Sequence, residues 1–158
     1  MDSNLKKYLD EHNIAYKIHE HPAVFTVAES KELLKNKSYL HTKSLFLKDE
    51  KGNFYLVSLP AEKRLNIKSL EKKLSLKKLR FASPEELKAE LNLTPGSVSI
   101  FGMIYANRVS LILDKEIWEA PVSGFHPNIN TATLEIEHNN LEKFINSLKS
   151  HKEIMELE

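Results

Sequence analysis

Three stretches of this chain hold residues whose types and spacing could do chemistry. In Thr42-Lys43-Ser44-Leu45-Phe46-Leu47-Lys48, an extended backbone puts Lys43, Leu45 and Leu47 on one face and Ser44 and Phe46 on the other. A lysine beside two leucines is partly desolvated and could hold an anion or work with a lowered pKa. The other reading is a solvent face near a strand end. In Gly96-Ser-Val-Ser-Ile-Phe-Gly102, two glycines bracket a strand-like run. Glycine lets a backbone come close to a ligand, so N–H groups there could hold a carbonyl oxygen as an oxyanion hole does. Two turns flanking a strand would give the same pattern. Neither Ser97 nor Ser99 sits in a glycine-serine-glycine elbow, so no serine triad is indicated. In Gly124-Phe-His-Pro-Asn-Ile-Asn-Thr-Ala-Thr133, His126 lies in a loop stiffened by Pro127, and the small residues Thr131, Ala132 and Thr133 leave room for a pocket. A histidine there suits a structural or a catalytic role. His19 and His21 share strand parity, but Pro22 ends the run and no third ligand has metal-site spacing.

The elements that must position these residues can be read from periodicity. Leu5, Tyr8 and Leu9 predict a helix over about Asn4–His12, capped by Asp2 or Ser3. Ala15–Ile18 reads as a short strand, and Thr26-Val-Ala-Glu29 as a capping box opening a helix through Leu34. Thr42–Leu47 and Phe54–Leu59, joined by Asp49-Glu-Lys-Gly-Asn53, predict a β-hairpin. Ile67, Leu70 and Leu74 define one face of a helix that leaves Lys68, Lys72 and Lys73 toward water. Ser83-Pro-Glu-Glu86 starts another helix, through Leu91. Strands are expected over Ser97–Phe101, Val109–Leu113 and Thr131–Ile136, and a closing helix over Asn140–Leu148. The order lacks regular βαβ alternation, so the expected class is mixed α/β of the α+β type.

Composition sets the outer limits. With 158 residues and 28% charged residues, the chain suits one globular domain over residues 1–158. The absence of cysteine excludes disulfides, thiolate nucleophiles and cysteine-ligated zinc. No apolar run reaches the roughly 20 residues of a membrane span, and the first residues do not resemble a secretion signal. A cytoplasmic location is expected. The net charge of +1 hides an asymmetry. Between Ala61 and Arg80 stand Lys63, Arg64, Lys68, Lys72, Lys73, Lys77, Lys78 and Arg80 against Glu62 and Glu71, so this segment is +6 and the remainder −5. Such a stripe suits a phosphate-rich partner, and equally a solvated lysine-covered helix face.

Taken together, the segments resemble the YbaK/ProX family of aminoacyl-tRNA deacylases, relatives of the editing domain of bacterial prolyl-tRNA synthetases. The resemblance runs from about Tyr8 to the C-terminus. It is carried by His21-Pro-Ala-Val-Phe-Thr-Val-Ala-Glu29, Thr42-Lys-Ser-Leu-Phe-Leu-Lys-Asp49, Leu59-Pro-Ala-Glu-Lys-Arg64, Phe81-Ala-Ser-Pro-Glu85, Pro95-Gly-Ser-Val-Ser-Ile-Phe-Gly102, Phe125-His-Pro-Asn128 and Asn130-Thr-Ala-Thr133. Within the family, the Phe-His-Pro loop is similar to the freestanding alanyl-tRNA(Pro) branch. Ser44 departs from the pattern where asparagine is common, and Ile129 is an apolar residue at a variable place.

The resemblance implies a single mixed-sheet domain with helices packed around it, and hydrolysis of a mischarged tRNA ester without cofactor or metal. It implies catalytic roles for Lys43, Gly96 and Gly102 and substrate contacts from His126, Phe46, Ser97, Phe101, Asn130 and Thr131. The basic residues Lys63, Arg64, Lys68, Lys72 and Lys73 then meet tRNA phosphates. The implied partners are aminoacylated proline tRNA and, transiently, prolyl-tRNA synthetase. Other readings are a deacylase for cysteinyl- or another small aminoacyl-tRNA, a non-catalytic tRNA-binding module, and a hydrolase of free amino-acid esters.

Overall fold

Hydrophobic alternation in the strands builds one mixed sheet with apolar clusters on both faces. A computed structural model describes residues 1–22 and 38–158. The strands are β1 (Lys17–Glu20), β2 (Leu40–Asp49), β3 (Phe54–Pro60), β4 (Leu79–Phe81), β5 (Val109–Asp114), β6 (Val122–Phe125), β7 (Ala132–Glu137) and β8 (Lys152–Met155). The helices are α1 (Ser3–Glu11), α2 (Ile67–Lys73), α3 (Pro84–Leu91), α4 (Lys115–Glu119) and α5 (His138–Ser147), with a 3₁₀ helix over Ile100–Tyr105. The strand order is β1-β7-β6-β2-β3-β5-β8, and β4 adds to β2. β2–β6, β3–β5 and β5–β8 are parallel, and the other pairs are antiparallel.

The inner face carries Phe46, Leu56, Leu111, Phe125, Leu134 and Ile136 against Leu5 and Leu9 of α1, Phe101 of the 3₁₀ helix and Phe144 of α5. The outer face carries Leu47, Val57, Leu59, Leu79 and Ile112, covered by Leu65, Leu70 of α2 and Leu157. A second cluster on the outer face is needed because strands in the middle of a sheet have two sides to remove from water. The β2–β3 turn is held by the buried Asp49, whose Oδ1 accepts from the amides of Lys51 and Asn53 and whose Oδ2 accepts from Tyr55 Oη. Burial would raise this carboxyl; the hydrogen bonds from Asn53, Tyr55 and Lys51 outweigh it and hold it below the usual range. Burial and the Asp49 carboxylate together push the Tyr55 hydroxyl up to about 12.

Most expected elements appear, with shifts. The Asp2 cap, the β2–β3 hairpin, the α2 face and the Ser83 capping box are present as read. The first strand lies two residues later than Ala15–Ile18, because pairing with β7 rather than local pattern sets its ends. The strand expected over Ser97–Phe101 is instead a loop leading into the 3₁₀ helix. There Ser99 caps the helix by accepting from the Phe101 amide, which offers the backbone an alternative to a ladder. The helix expected from Thr26 to Leu34 lies outside the described residues. Among the described residues no helix is long and apolar enough to cross a membrane.

Candidate active site

The register of β2 decides where Lys43 points. Lys43 pairs with Leu59 and shares strand parity with Leu45 and Leu47, both of which pack in the outer cluster. Lys43 therefore projects from the outer face and is half-buried, the placement its two leucine neighbours suggest. On its other edge β2 pairs with β6 at Leu40–His41 and with β4 at Leu47–Asp49. The stretch Lys43–Leu45 between them has no strand partner on that edge among the described residues.

A histidine follows the end of the neighbouring strand β6. Thr42 Oγ1 donates to the Gly124 carbonyl at 2.7 Å, locking β2 to β6. Phe125 points into the inner core, and His126, one residue past the end of β6, lies near His21. Its side chain bonds the backbone of Ala132. Burial lowers its pKa, the nearby His21 lowers it further, and the Ala132 bond opposes both without restoring the usual value. His126 is therefore neutral near pH 7. Its Nδ1 is buried without a hydrogen-bond partner among the described residues. His21 is itself fixed: Nδ1 lies 2.8 Å from the Pro22 carbonyl and Nε2 lies 3.0 Å from Thr133 Oγ1. A carbonyl only accepts, so Nδ1 carries the hydrogen, and in the neutral ring Nε2 accepts from Thr133. Gly124 makes room beside this group. A Cβ there would lie 2.3 Å from Tyr39 Cε2, and Tyr39 lies between His19 and His41 with ring centroids 5.7 and 4.6 Å away.

At the unpaired edge of β2 opens a cleft of about 230 Å³. Ser44, Leu45 and Phe46 form one wall, Phe81–Pro84 and Leu87 another, and Pro95, Gly96 and Val98 a third. Gly96 has φ +92, a conformation that side-chain-bearing residues rarely adopt. Asn130 Nδ2 lies 3.7 Å from where a Gly96 Cβ would be. Phe46, Gly96 and Asn130, distant in sequence, are thus brought to one region. Ser44 Oγ donates to Ser58 Oγ at 3.2 Å and so braces β2 against β3.

Other expected site residues are placed differently. Gly102 is buried inside the 3₁₀ helix, its amide donating to the Ser99 carbonyl, and a Cβ there would lie 2.6 Å from Leu93 Cδ1. It is a packing glycine whose N–H is already used. Phe101 is fully buried between Phe125 and Phe144 and belongs to the core. Ser97 is buried, and its hydroxyl closes a turn onto Thr94. Thr131 is exposed, and its carbonyl accepts from the His21 amide at 2.9 Å.

The basic stripe divides. Lys63 pairs with the buried Asp114 at 2.9 Å and with Glu116 at 3.7 Å, so its charge is spent inside the fold. Burial alone would lower its pKa; Asp114 and Glu116 outweigh that and raise it. Arg64, Lys68, Lys72 and Lys73 are exposed, and Lys73 also donates to the Glu156 carbonyl. Lys68, Lys72 and Lys73 lie on α2, which covers the outer sheet face, the one from which Lys43 projects.

Sequence reading missed Phe81, Tyr39 and the roles of His21 and Asp2. Strand alternation from His19 could have put His21 on the outer face. Asp2 reads as a helix cap alone, because its partners Tyr105 and Asn128 are more than 100 residues away along the chain.

Comparisons with known proteins place the chain in a family. The model of the aminoacyl-tRNA editing domain matches residues 21–144. The prolyl-tRNA editing protein ProX of Acetoanaerobium sticklandii is 36% identical over 141 residues, which cover 87% of this chain and 85% of that protein. The prolyl-tRNA synthetase associated domain-containing protein 1 of Danio rerio is 31% identical over 145 residues, covering 89% and 79%. Among solved structures, a candidate trans-editing enzyme for prolyl tRNA synthetase superposes with a TM-score of 0.75 at 20% identity, covering 100% of this chain and 98% of that one. A hypothetical protein superposes with a TM-score of 0.78 at 19% identity, covering 98% and 99%. These two show the same fold. On the family match over residues 21–144 and the similarity to ProX over most of both chains, this chain belongs to the aminoacyl-tRNA editing domain family and is an aminoacyl-tRNA deacylase.

Proposed function

We propose that the chain removes alanine from mischarged proline tRNA in trans. The observation that supports this reading is the neutral, half-buried His126 one residue past the end of β6, the strand paired with the β2 that carries Lys43. The relatives named for prolyl-tRNA editing and for prolyl-tRNA synthetase supply the tRNA; prolyl-tRNA synthetase is the transient partner.

Hydrolysis here needs no protein nucleophile. Ser97 and Ser99 use their hydroxyls in a turn and a helix cap, and the aminoacyl ester is already activated. Water attacks the ester carbonyl, the bond to the terminal ribose oxygen breaks, and free alanine and tRNA leave. Positioning plus stabilisation of the developing oxyanion is sufficient. Gly96 lets the backbone approach that oxygen. Lys43 holds the terminal ribose or its phosphate, and the neighbouring ribose hydroxyl of the substrate assists proton transfer. His126 and the adjoining loop form a wall that admits alanine and excludes proline, the logic of a second sieve.

The test is a deacylation assay with alanyl-, cysteinyl-, seryl- and prolyl-tRNA(Pro) side by side. The reading requires alanyl-tRNA(Pro) to turn over fastest and prolyl-tRNA(Pro) slowest. A faster rate on the cysteinyl or seryl substrate would replace alanine as the assignment.

A further inference from the structure

We propose that Phe81 is a stacking platform for the terminal nucleobase of the tRNA substrate, and this rests on the functional reading above. Phe81 is 58% exposed, the most of the exposed large hydrophobics among the described residues, ahead of Ile154 and Met1. Among the described residues, neither hydrophobic cluster includes its ring. β4 is anchored without it: Leu79 is buried in the outer cluster, and the Ala82 amide donates to the Phe46 carbonyl. The aromatic ring therefore does little for the fold, yet it borders the cleft beside Ser44, Leu45 and Gly96.

Register places the ring on the same face as Lys43. Phe81 pairs with Leu47, and antiparallel partners project to the same side. Leu47, Leu45 and Lys43 alternate back along β2 on that side. Lys43 and Leu47 are four residues apart, about 13 Å of strand at roughly 3.3 Å per residue. A cation, an apolar floor at Leu45 and an exposed aromatic ring follow one another over that distance. This order matches the parts of one nucleotide: an anionic or hydroxylated sugar-phosphate at Lys43 and a flat apolar base over Phe81. Exposed Lys68 and Lys72 lie on α2, the helix covering this same face, and exposed Arg64 lies just before it, where the preceding phosphates would meet them. A base stacked on an aromatic side chain gives affinity without hydrogen-bond readout, so the platform holds the terminal base while the pocket judges the amino acid.

Phe81→Ala should raise KM for alanyl-tRNA(Pro) on the order of tenfold, the scale of one lost stacked base, with kcat within about twofold of the parent. Phe81→Tyr and Phe81→Trp should restore KM, which loss of a merely structural residue would not predict. In F81W the new indole is also a reporter. Titration with adenosine 5′-monophosphate should quench its fluorescence relative to the parent, which has only Trp118, and ribose 5-phosphate should not. An unchanged KM in F81A, or equal quenching by the two ligands, overturns the platform while leaving the deacylase reading standing. A parent inactive on all four aminoacyl-tRNAs overturns the functional reading and this proposal with it.

Discussion

The carboxylate of Asp2 accepts a hydrogen bond from Asn128 Nδ2 at 3.1 Å, tying the first turn of α1 to the loop that carries His126. The same Oδ2 accepts from Tyr105 Oη at 2.6 Å, and Oδ1 caps the helix through the Asn4 amide. Asn128 has φ +63, a left-handed conformation that asparagine tolerates better than most residues. One carboxylate thus fixes a helix start, the 3₁₀ helix and the site loop. Asp2→Ser can keep the cap but cannot reach the other two partners. We expect it to lower alanyl-tRNA(Pro) deacylation several-fold and to cost about 1–2 kcal/mol of stability. Tyr105→Phe, which leaves the Asn128 bond, should lose stability alone, and an equal loss of activity would remove the loop-anchoring role. Burial would raise the Asp2 pKa, but the bonds from Tyr105, Asn128 and Asn4 bring it below the usual value. This contribution is therefore present at neutral pH and lost as pH falls through the carboxylate range below about 4.

Lys43→Ala should leave the melting temperature nearly unchanged and reduce deacylation by about tenfold or more, the scale of one lost charge-assisted contact. A folded variant working at the parental rate would exclude Lys43 from the site.

The basic stripe gives two opposite expectations. Replacing Lys68 and Lys72 with glutamate should weaken tRNA binding and flatten its salt dependence, with hydrolysis of alanyl-adenosine nearly unchanged. Lys63→Ala should instead act on stability. It strips the partner from Asp114, whose side chain is 1% exposed, and should cost about 2–3 kcal/mol in a denaturation experiment. Equal loss on tRNA and alanyl-adenosine from the glutamate pair would show that α2 supports the pocket rather than binding phosphates.

His126→Ala should enlarge the pocket and raise the rates on seryl-, cysteinyl- or prolyl-tRNA(Pro) relative to alanyl-tRNA(Pro). If the ring were a general base, all four rates would fall by a similar factor with their ranking intact. Titration offers a second check. The folded pKa of His126 lies below its unfolded value near 6.5, so the unfolded chain binds the extra proton first. Stability should fall as pH drops below about 6.5 and level off once the folded ring is also protonated. His126→Gln should remove this dependence.

The two glycines expected at the site from sequence should separate by phenotype. Gly102→Ala puts a Cβ against Leu93 and should cost about 1–3 kcal/mol through overpacking. Gly96→Ala meets nothing closer than Asn130 Nδ2 but is strained at φ +92, and should reduce deacylation more than stability. Reversal of that order in paired melting and rate measurements would return Gly102 to the site.

What the sequence determined by itself was local and periodic. Alternation along Thr42–Leu47 placed Lys43 opposite Phe46, the glycine-bearing turn set the β2–β3 hairpin, and the spacing of Ile67, Leu70 and Leu74 set the buried side of α2. These follow from side-chain period and turn chemistry within one segment. Tertiary structure decided what depends on partners far along the chain. Ser97–Phe101 reads as a strand, yet among the described residues no neighbouring strand takes it up, and the Ser99 cap turns its end into a 3₁₀ helix that buries Phe101 and Gly102. Lys63 looks like one more base in a stripe until β5 brings the buried Asp114 to it. Phe81 looks like one more strand aromatic until β4 proves to end at the open edge of β2. A charge or a ring has its local setting written in its neighbours, but whether it is paired, buried or left facing a cleft is decided by which strand lies next to it.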